Sequence, residues 1–118
     1  MKKISTSLIG CGRIGFILED DKLRRKPCTH YGGALAAGIK ITSACDINPE
    51  RLIKFKEKTG LPESSCYTNY EELLQKENPQ LVIITTWTDS HAAIALASIK
   101  AGAKILVLEK PVTYSLKL

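Results

Sequence analysis

The stretch Ile4-Ser5-Thr6-Ser7-Leu8-Ile9-Gly10-Cys11-Gly12-Arg13-Ile14-Gly15 decides how this chain reads. An apolar run leads straight into a G-x-G-x-x-G turn, and a helical pattern opens behind it. A lone glycine string of this kind is weak evidence; a strand before it and a helix after it are the context the motif requires. Each glycine then has a physical task. Gly10 permits the tight turn out of the strand, Gly12 lets backbone approach a diphosphate, and Gly15 lets the helix pack closely. Negative charge is met there by unpaired amides and the positive end of the helix dipole.

Asp46 supplies the next part. It ends the expected second strand, 41–46, where a carboxylate accepts hydrogen bonds from both hydroxyls of an adenosine ribose and repels a 2′-phosphate. NAD is therefore expected in preference to NADP, although Arg51 nearby is of the type that accommodates a 2′-phosphate. The alternative role for Asp46 is capping the following helix, for which Asn48 is better placed. Gly15 and Asp46 lie farther apart than the usual ~20 residues. A charged stretch over 19–28, containing Lys22-Leu23-Arg24-Arg25-Lys26 and ending before Thr29, reads as an insertion beside the expected cleft.

Patterns of strand and helix alternate along the rest of the chain, which argues for βαβ units and a parallel sheet. Strands are expected over 4–9, 41–46, 65–67, 81–85 and 104–108. After the insertion, helical character resumes over 29–37. Asn48 caps the next helix with Pro49 in its first turn, and Gly60 and Pro62 end it. Thr68 with Glu71 fits a capping box for a third helix, stopped by Asn78-Pro79. Asp89 or Ser90 opens a fourth, closed by Gly102. The fold class is α/β: a doubly wound, Rossmann-type parallel sheet of five strands in order 3-2-1-4-5, helices on both faces, forming one domain over residues 1–118.

With 44% hydrophobic and 25% charged residues, the 118-residue chain is composed like an ordinary globular domain. No apolar run approaches the ~20 residues that span a bilayer, so no membrane partner is expected. Lys2-Lys3 before Leu8-Ile9-Gly10-Cys11 superficially resembles a lipoprotein signal, but Ser5-Thr6-Ser7 interrupts it. A net charge of +5 allows nucleic acid, yet the densest basic run follows Glu19-Asp20-Asp21 and carries no interleaved aromatic residues. No nucleic-acid partner is expected. Cys11, Cys28, Cys45 and Cys66 form no C-x-x-C pair, so no metal site is expected, and the reducing cytoplasm is the compartment that suits them.

The glycine turn, Cys45-Asp46-Ile47-Asn48-Pro49-Glu50-Arg51, the stretch 82–91 and Glu109-Lys110-Pro111 together resemble the Gfo/Idh/MocA oxidoreductase family. The resemblance covers nearly the whole chain, and Glu109-Lys110-Pro111 is its most distinguishing piece. It implies NAD-dependent oxidation or reduction of a secondary alcohol on a small sugar or polyol such as a cyclitol. Cofactor contacts are implied at Gly10, Gly12, Arg13, Ile14, Gly15, Asp46, Ile47, Thr85, Thr86, Trp87, His91, Glu109 and Lys110. His91 equally fits a packing or capping role. Lys110 is the implied catalytic residue: its ammonium orients the substrate hydroxyl and stabilises negative charge developing on the oxygen. Trp87 departs from the family, which usually has proline there.

The resemblance further implies a helix, a sixth strand and a separate substrate domain after Pro111. That domain would carry most substrate contacts and the oligomer interface, so these residues alone are expected to be inactive. The apolar fifth strand is expected to leave an edge that pairs with another copy of the chain. Two rival readings remain: a non-catalytic NAD(H)-responsive regulator, since sensors share this fold, and a methyltransferase using S-adenosylmethionine, against which Glu109-Lys110-Pro111 argues.

Overall fold

The computed structural model describes residues 4–11, 30–86 and 88–108. Five parallel strands form one sheet: β1 (Thr6–Ile9), β2 (Ser43–Cys45), β3 (Cys66–Tyr67), β4 (Leu81–Ile84) and β5 (Ile105–Leu108). Their order is β3-β2-β1-β4-β5, as expected of the Rossmann-type reading. The strands run shorter than the apolar stretches that announce them. Hydrogen bonding continues past their ends, however: Thr42 N donates to Thr6 O at 2.8 Å, and Thr85 N to Ile9 O at 2.9 Å.

Among the described residues four helices connect the strands: α1 (His30–Ala36), α2 (Pro49–Thr59), α3 (Tyr70–Glu77) and α4 (Thr88–Lys100). A short 3-10 turn, Glu63–Ser65, leads into β3. The helical segment expected directly behind Gly15, the insertion over 19–28 and Cys28 lie outside the described residues.

Side chains alternate across the sheet and build two cores. On one face Leu8, Ala44, Leu81 and Ile83 pack with Ala34 of α1 and with Leu52 and Phe55 of α2. On the other, Ile9, Cys45, Val82 and Ile84 pack with Leu73 and Leu74 of α3 and Ile94 of α4. β1 is buried along its whole length, although Thr6 and Ser7 are polar. The Thr6 hydroxyl donates to Ile4 O at 3.1 Å, while the Thr6 backbone and the Ser7 hydroxyl meet side chains of residues 42 and 43. Thr6 N donates to Thr42 Oγ1 at 2.9 Å, Thr42 Oγ1 donates to Thr6 O at 3.0 Å, and the Ser7 and Ser43 hydroxyls bond each other. Ser7 stands opposite Ser43 in the register, so this contact holds β1 against β2 at one pairing.

Helix ends follow local chemistry, with one shift. Asn48 Oδ1 accepts from Glu50 N at 3.0 Å with Pro49 behind it, as the sequence implies. For α3 the cap is Asn69 and not Thr68: its Oδ1 accepts from Glu71 N at 2.8 Å and Glu72 N at 3.4 Å. Asn69 is the extended residue immediately before the helix, at φ −121° and ψ 118°, so its side chain meets the free amides. Asn78 ends α3 in the left-handed region at φ 44°, a conformation asparagine tolerates better than most residues. The fourth helix begins at Thr88, one residue ahead of Asp89.

The cap assignment separates two substitutions. Asn69→Ala is expected to lower the unfolding free energy by about 1 kcal/mol. Thr68→Ala should change it by less than about 0.5 kcal/mol. Urea denaturation followed by circular dichroism measures both.

Candidate functional site

The strand order reverses at β1, with β2 on one edge and β4 on the other. In open parallel sheets ligands lie at such a switch point, outside the carboxyl ends of the strands. Gly10, Asp46 and Thr85 fall there, directly after the ends of β1, β2 and β4, with Thr86 next in the chain.

Gly10 has φ +104°, and its amide donates to Cys45 O at 2.7 Å. A Cβ added to it would stand 2.8 Å from Thr85 Oγ1 and 2.9 Å from the Thr85 carbonyl carbon. Torsion and space thus both demand glycine at this position. The next amide, Cys11 N, donates to Asp46 Oδ2 at 2.8 Å. The other carboxylate oxygen, Oδ1, accepts from Asn48 N at 2.8 Å. Asp46 is only 6% exposed, and its own amide bonds Tyr67 O. Its side chain therefore turns onto the glycine loop and also braces the β2–α2 turn. Of the two roles weighed from sequence, binding a ribose and capping the next helix, the second falls to Asn48, with Asp46 bracing the turn before it. Each carboxylate oxygen still has acceptor capacity beyond its one amide.

On the same rim Ile47 is 82% exposed, a large apolar side chain held out beside a buried carboxylate. Thr85 Oγ1 donates to Gly10 O at 2.5 Å, and Thr86 Oγ1 lies 2.8 Å from Ser90 Oγ on α4. His91 falls in the first turn of α4. The His91 side chain and Gly12, Arg13, Ile14, Gly15, Trp87, Glu109, Lys110 and Pro111 lie outside the described residues. The structure therefore brings Gly10, Asp46, Ile47, Thr85 and Thr86 to one rim.

Cys11 and Cys45 beside this rim are buried. Burial, reinforced by the Asp46 carboxylate, pushes the Cys11 thiol well up from its ordinary value, and the same two causes carry Cys45 to about 12. Both stay protonated thiols at neutral pH and are poor nucleophiles. Cys66 is only partly buried, and its thiol is raised as well, chiefly by burial. Among the described residues, no three metal-ligating side chains stand together.

Such a rim fits a dinucleotide. A glycine without room for a Cβ opens the turn, and a buried carboxylate is aimed at it from the neighbouring strand. Sequence reasoning missed both internal partners of the turn, the Asp46–Cys11 and Thr85–Gly10 bonds. The one available signal was that a hydroxyl and a carboxylate each end a strand adjacent to β1.

Replacing Asp46 by asparagine puts an NH2 group where one of two backbone amides now finds an acceptor. Asp46→Asn is expected to cost about 1–3 kcal/mol of stability, the penalty for an unsatisfied buried donor. Urea unfolding measures this, and an unchanged midpoint would contradict the geometry.

The sequence pattern of the oxidoreductase family with an NAD-binding Rossmann fold (GFO_IDH_MocA) matches residues 4–117. The chain is 31% identical over 117 residues to the inositol 2-dehydrogenase/D-chiro-inositol 3-dehydrogenase of Lactiplantibacillus plantarum, covering 99% of this chain and 31% of that protein. It is 32% identical over 108 residues to the inositol 2-dehydrogenase of Azotobacter vinelandii, covering 92% and 28%. Among solved structures it resembles the WlbA dehydrogenase of Bordetella pertussis in complex with NADH and UDP-GlcNAcA. The TM-score is 0.75 at 27% identity, over 95% of this chain and 30% of that one. The chain thus spans about three-tenths of the length of these relatives. On the match over residues 4–117, with the sheet order and glycine turn that accompany it, the chain belongs to the oxidoreductase family with an NAD-binding Rossmann fold.

Proposed function

We propose that residues 1–118 are the NAD-binding domain of an enzyme that oxidises or reduces a secondary alcohol on a sugar or cyclitol. The observation that carries this reading is the Asp46 carboxylate, turned onto the Gly10–Cys11 turn from the end of β2. The inositol dehydrogenases among the relatives support the substrate class. Those relatives are far longer than this chain, so turnover by these 118 residues alone is not expected.

In this reading the amides of Gly12, Arg13 and Ile14 hold the diphosphate, with Gly15 keeping the helix close. Asp46 accepts from both adenosine ribose hydroxyls, and Ile47 lends apolar surface beside them. Thr85, Thr86, Trp87, His91 and Glu109 border the nicotinamide end. Bound NAD would supply the hydride acceptor. Lys110 acts on the substrate: as the carbinol carbon loses hydride, the hydroxyl loses its proton, and an ammonium beside that oxygen stabilises the developing negative charge. The reducing cytoplasm is the proposed compartment, in keeping with free thiols at Cys11, Cys45 and Cys66. Among the described residues no helix is long and apolar enough to cross a membrane.

Isothermal titration tests the cofactor claim. NADH is expected to bind and to change Trp87 fluorescence. NADPH should bind at least about tenfold more weakly, because its 2′-phosphate meets the Asp46 carboxylate. No heat with NADH would overturn the reading.

We also propose that the chain self-associates through β5. Ile105 and Val107 are 51% and 36% exposed, and among the described residues no strand pairs the outer edge of β5. An apolar edge of this kind invites pairing. Light scattering at high concentration should show dimers or larger species, and Val107→Lys should reduce them. A clean wild-type monomer would count against the interface.

A further inference from the structure

The Gly10–Cys11 peptide is held at both ends by side chains from opposite neighbours of β1. Its carbonyl accepts from Thr85 Oγ1 at 2.5 Å, and its amide donates to Asp46 Oδ2 at 2.8 Å. Thr85 follows β4 and Asp46 follows β2, the two strands that flank β1. Gly10, at φ +104°, lacks the Cβ that would otherwise restrict rotation of this peptide. A flip would turn the carbonyl oxygen toward the Asp46 carboxylate and leave the Thr85 hydroxyl facing an N–H. The two side chains thus select one setting of a peptide that glycine alone leaves free.

We infer that Thr85 is a positioning residue, which acts on the cofactor through the glycine turn by clamping the Gly10–Cys11 peptide together with Asp46. A threonine hydroxyl has one proton to give. Here it is directed to Gly10 O, with Ile9 O more distant at 3.4 Å. That proton is therefore engaged within the protein and is not offered to the diphosphate. The clamped peptide is the link immediately before residues 12–15, whose amides the NAD-binding reading assigns to the diphosphate. This inference rests on the NAD-binding reading, and it gives the β4 end of the cleft a role beyond bordering the nicotinamide.

Thr85→Val keeps the shape and removes the donor, whereas Thr85→Ser keeps the donor. In the ligand-free chain, hydrogen exchange at the Cys11 amide is measured against that at Leu8 within β1. Thr85→Val is expected to raise the Cys11-to-Leu8 ratio by about three- to tenfold, the worth of one hydrogen bond. It should weaken NADH binding by a similar factor, and Thr85→Ser should restore both. A general loss of stability would speed both amides together and leave the ratio unchanged. An unchanged ratio in Thr85→Val, or in Thr85→Ala should the valine variant not fold, overturns the clamp. So does a serine variant that fails to restore it. If the wild-type chain binds no NADH, the cofactor reading falls, while the exchange ratio still decides the clamp.

Discussion

β1 has no free edge and no free face. It is hydrogen-bonded to β2 and β4 along both sides, and every one of its four residues is buried. A polar group placed there must find its partner within the sheet, because water cannot reach it. That requirement explains why the Ser7 hydroxyl meets Ser43 across the β1–β2 pair, while the Thr6 hydroxyl turns to Ile4 O and the Thr6 backbone meets Thr42 Oγ1. It also explains the geometry at the end of the strand. Where the backbone ladder stops, the next peptide still needs both a donor and an acceptor, and two side chains at the ends of the flanking strands provide them. The candidate site lies where the sheet's own hydrogen bonding runs out.

The layers around β1 are unequal in cover. α1 and α2 close one face and α3 and α4 the other, leaving Leu8, Phe55, Leu73, Val82 and Ile84 almost without exposure. β5 is the exception. Leu106 and Leu108 pack on the α3–α4 core, while Ile105 and Val107 on the opposite face stay open. Burial also decides what the cysteines can do. Cys11 stands inside the glycine turn, yet its thiol is held protonated. Neither Cys11 nor Cys45 therefore offers a thiolate at this rim.

Much of this was legible in the residues. Alternation of apolar runs with helical patterns announces a parallel sheet, and its expected order came from the Rossmann type that the glycine turn indicates. Gly10 and Asp46 could be picked out because each is tied to a strand end by its place in the chain. Asn48-Pro49 marks a helix start because capping involves neighbours two or three residues away. The misassigned cap at α3 shows the limit: Thr68 and Asn69 are both good caps, and which one precedes the first helical residue depends on where β3 ends.

What the sequence determined by itself rests on local torsion, periodicity and motif: a parallel α/β sheet, a glycine turn with an acid ending another strand, and, through the fold type that turn indicates, the expected strand order. Tertiary structure alone decided which groups meet. Asp46 reaches Cys11 across 35 residues and Thr85 reaches Gly10 across 75, while Ser7 meets Ser43 across 36. Such contacts leave no spacing rule in the chain. They arise because parallel strands bring residues at equal height side by side, and equal height is set by register, which exists only once the sheet has formed.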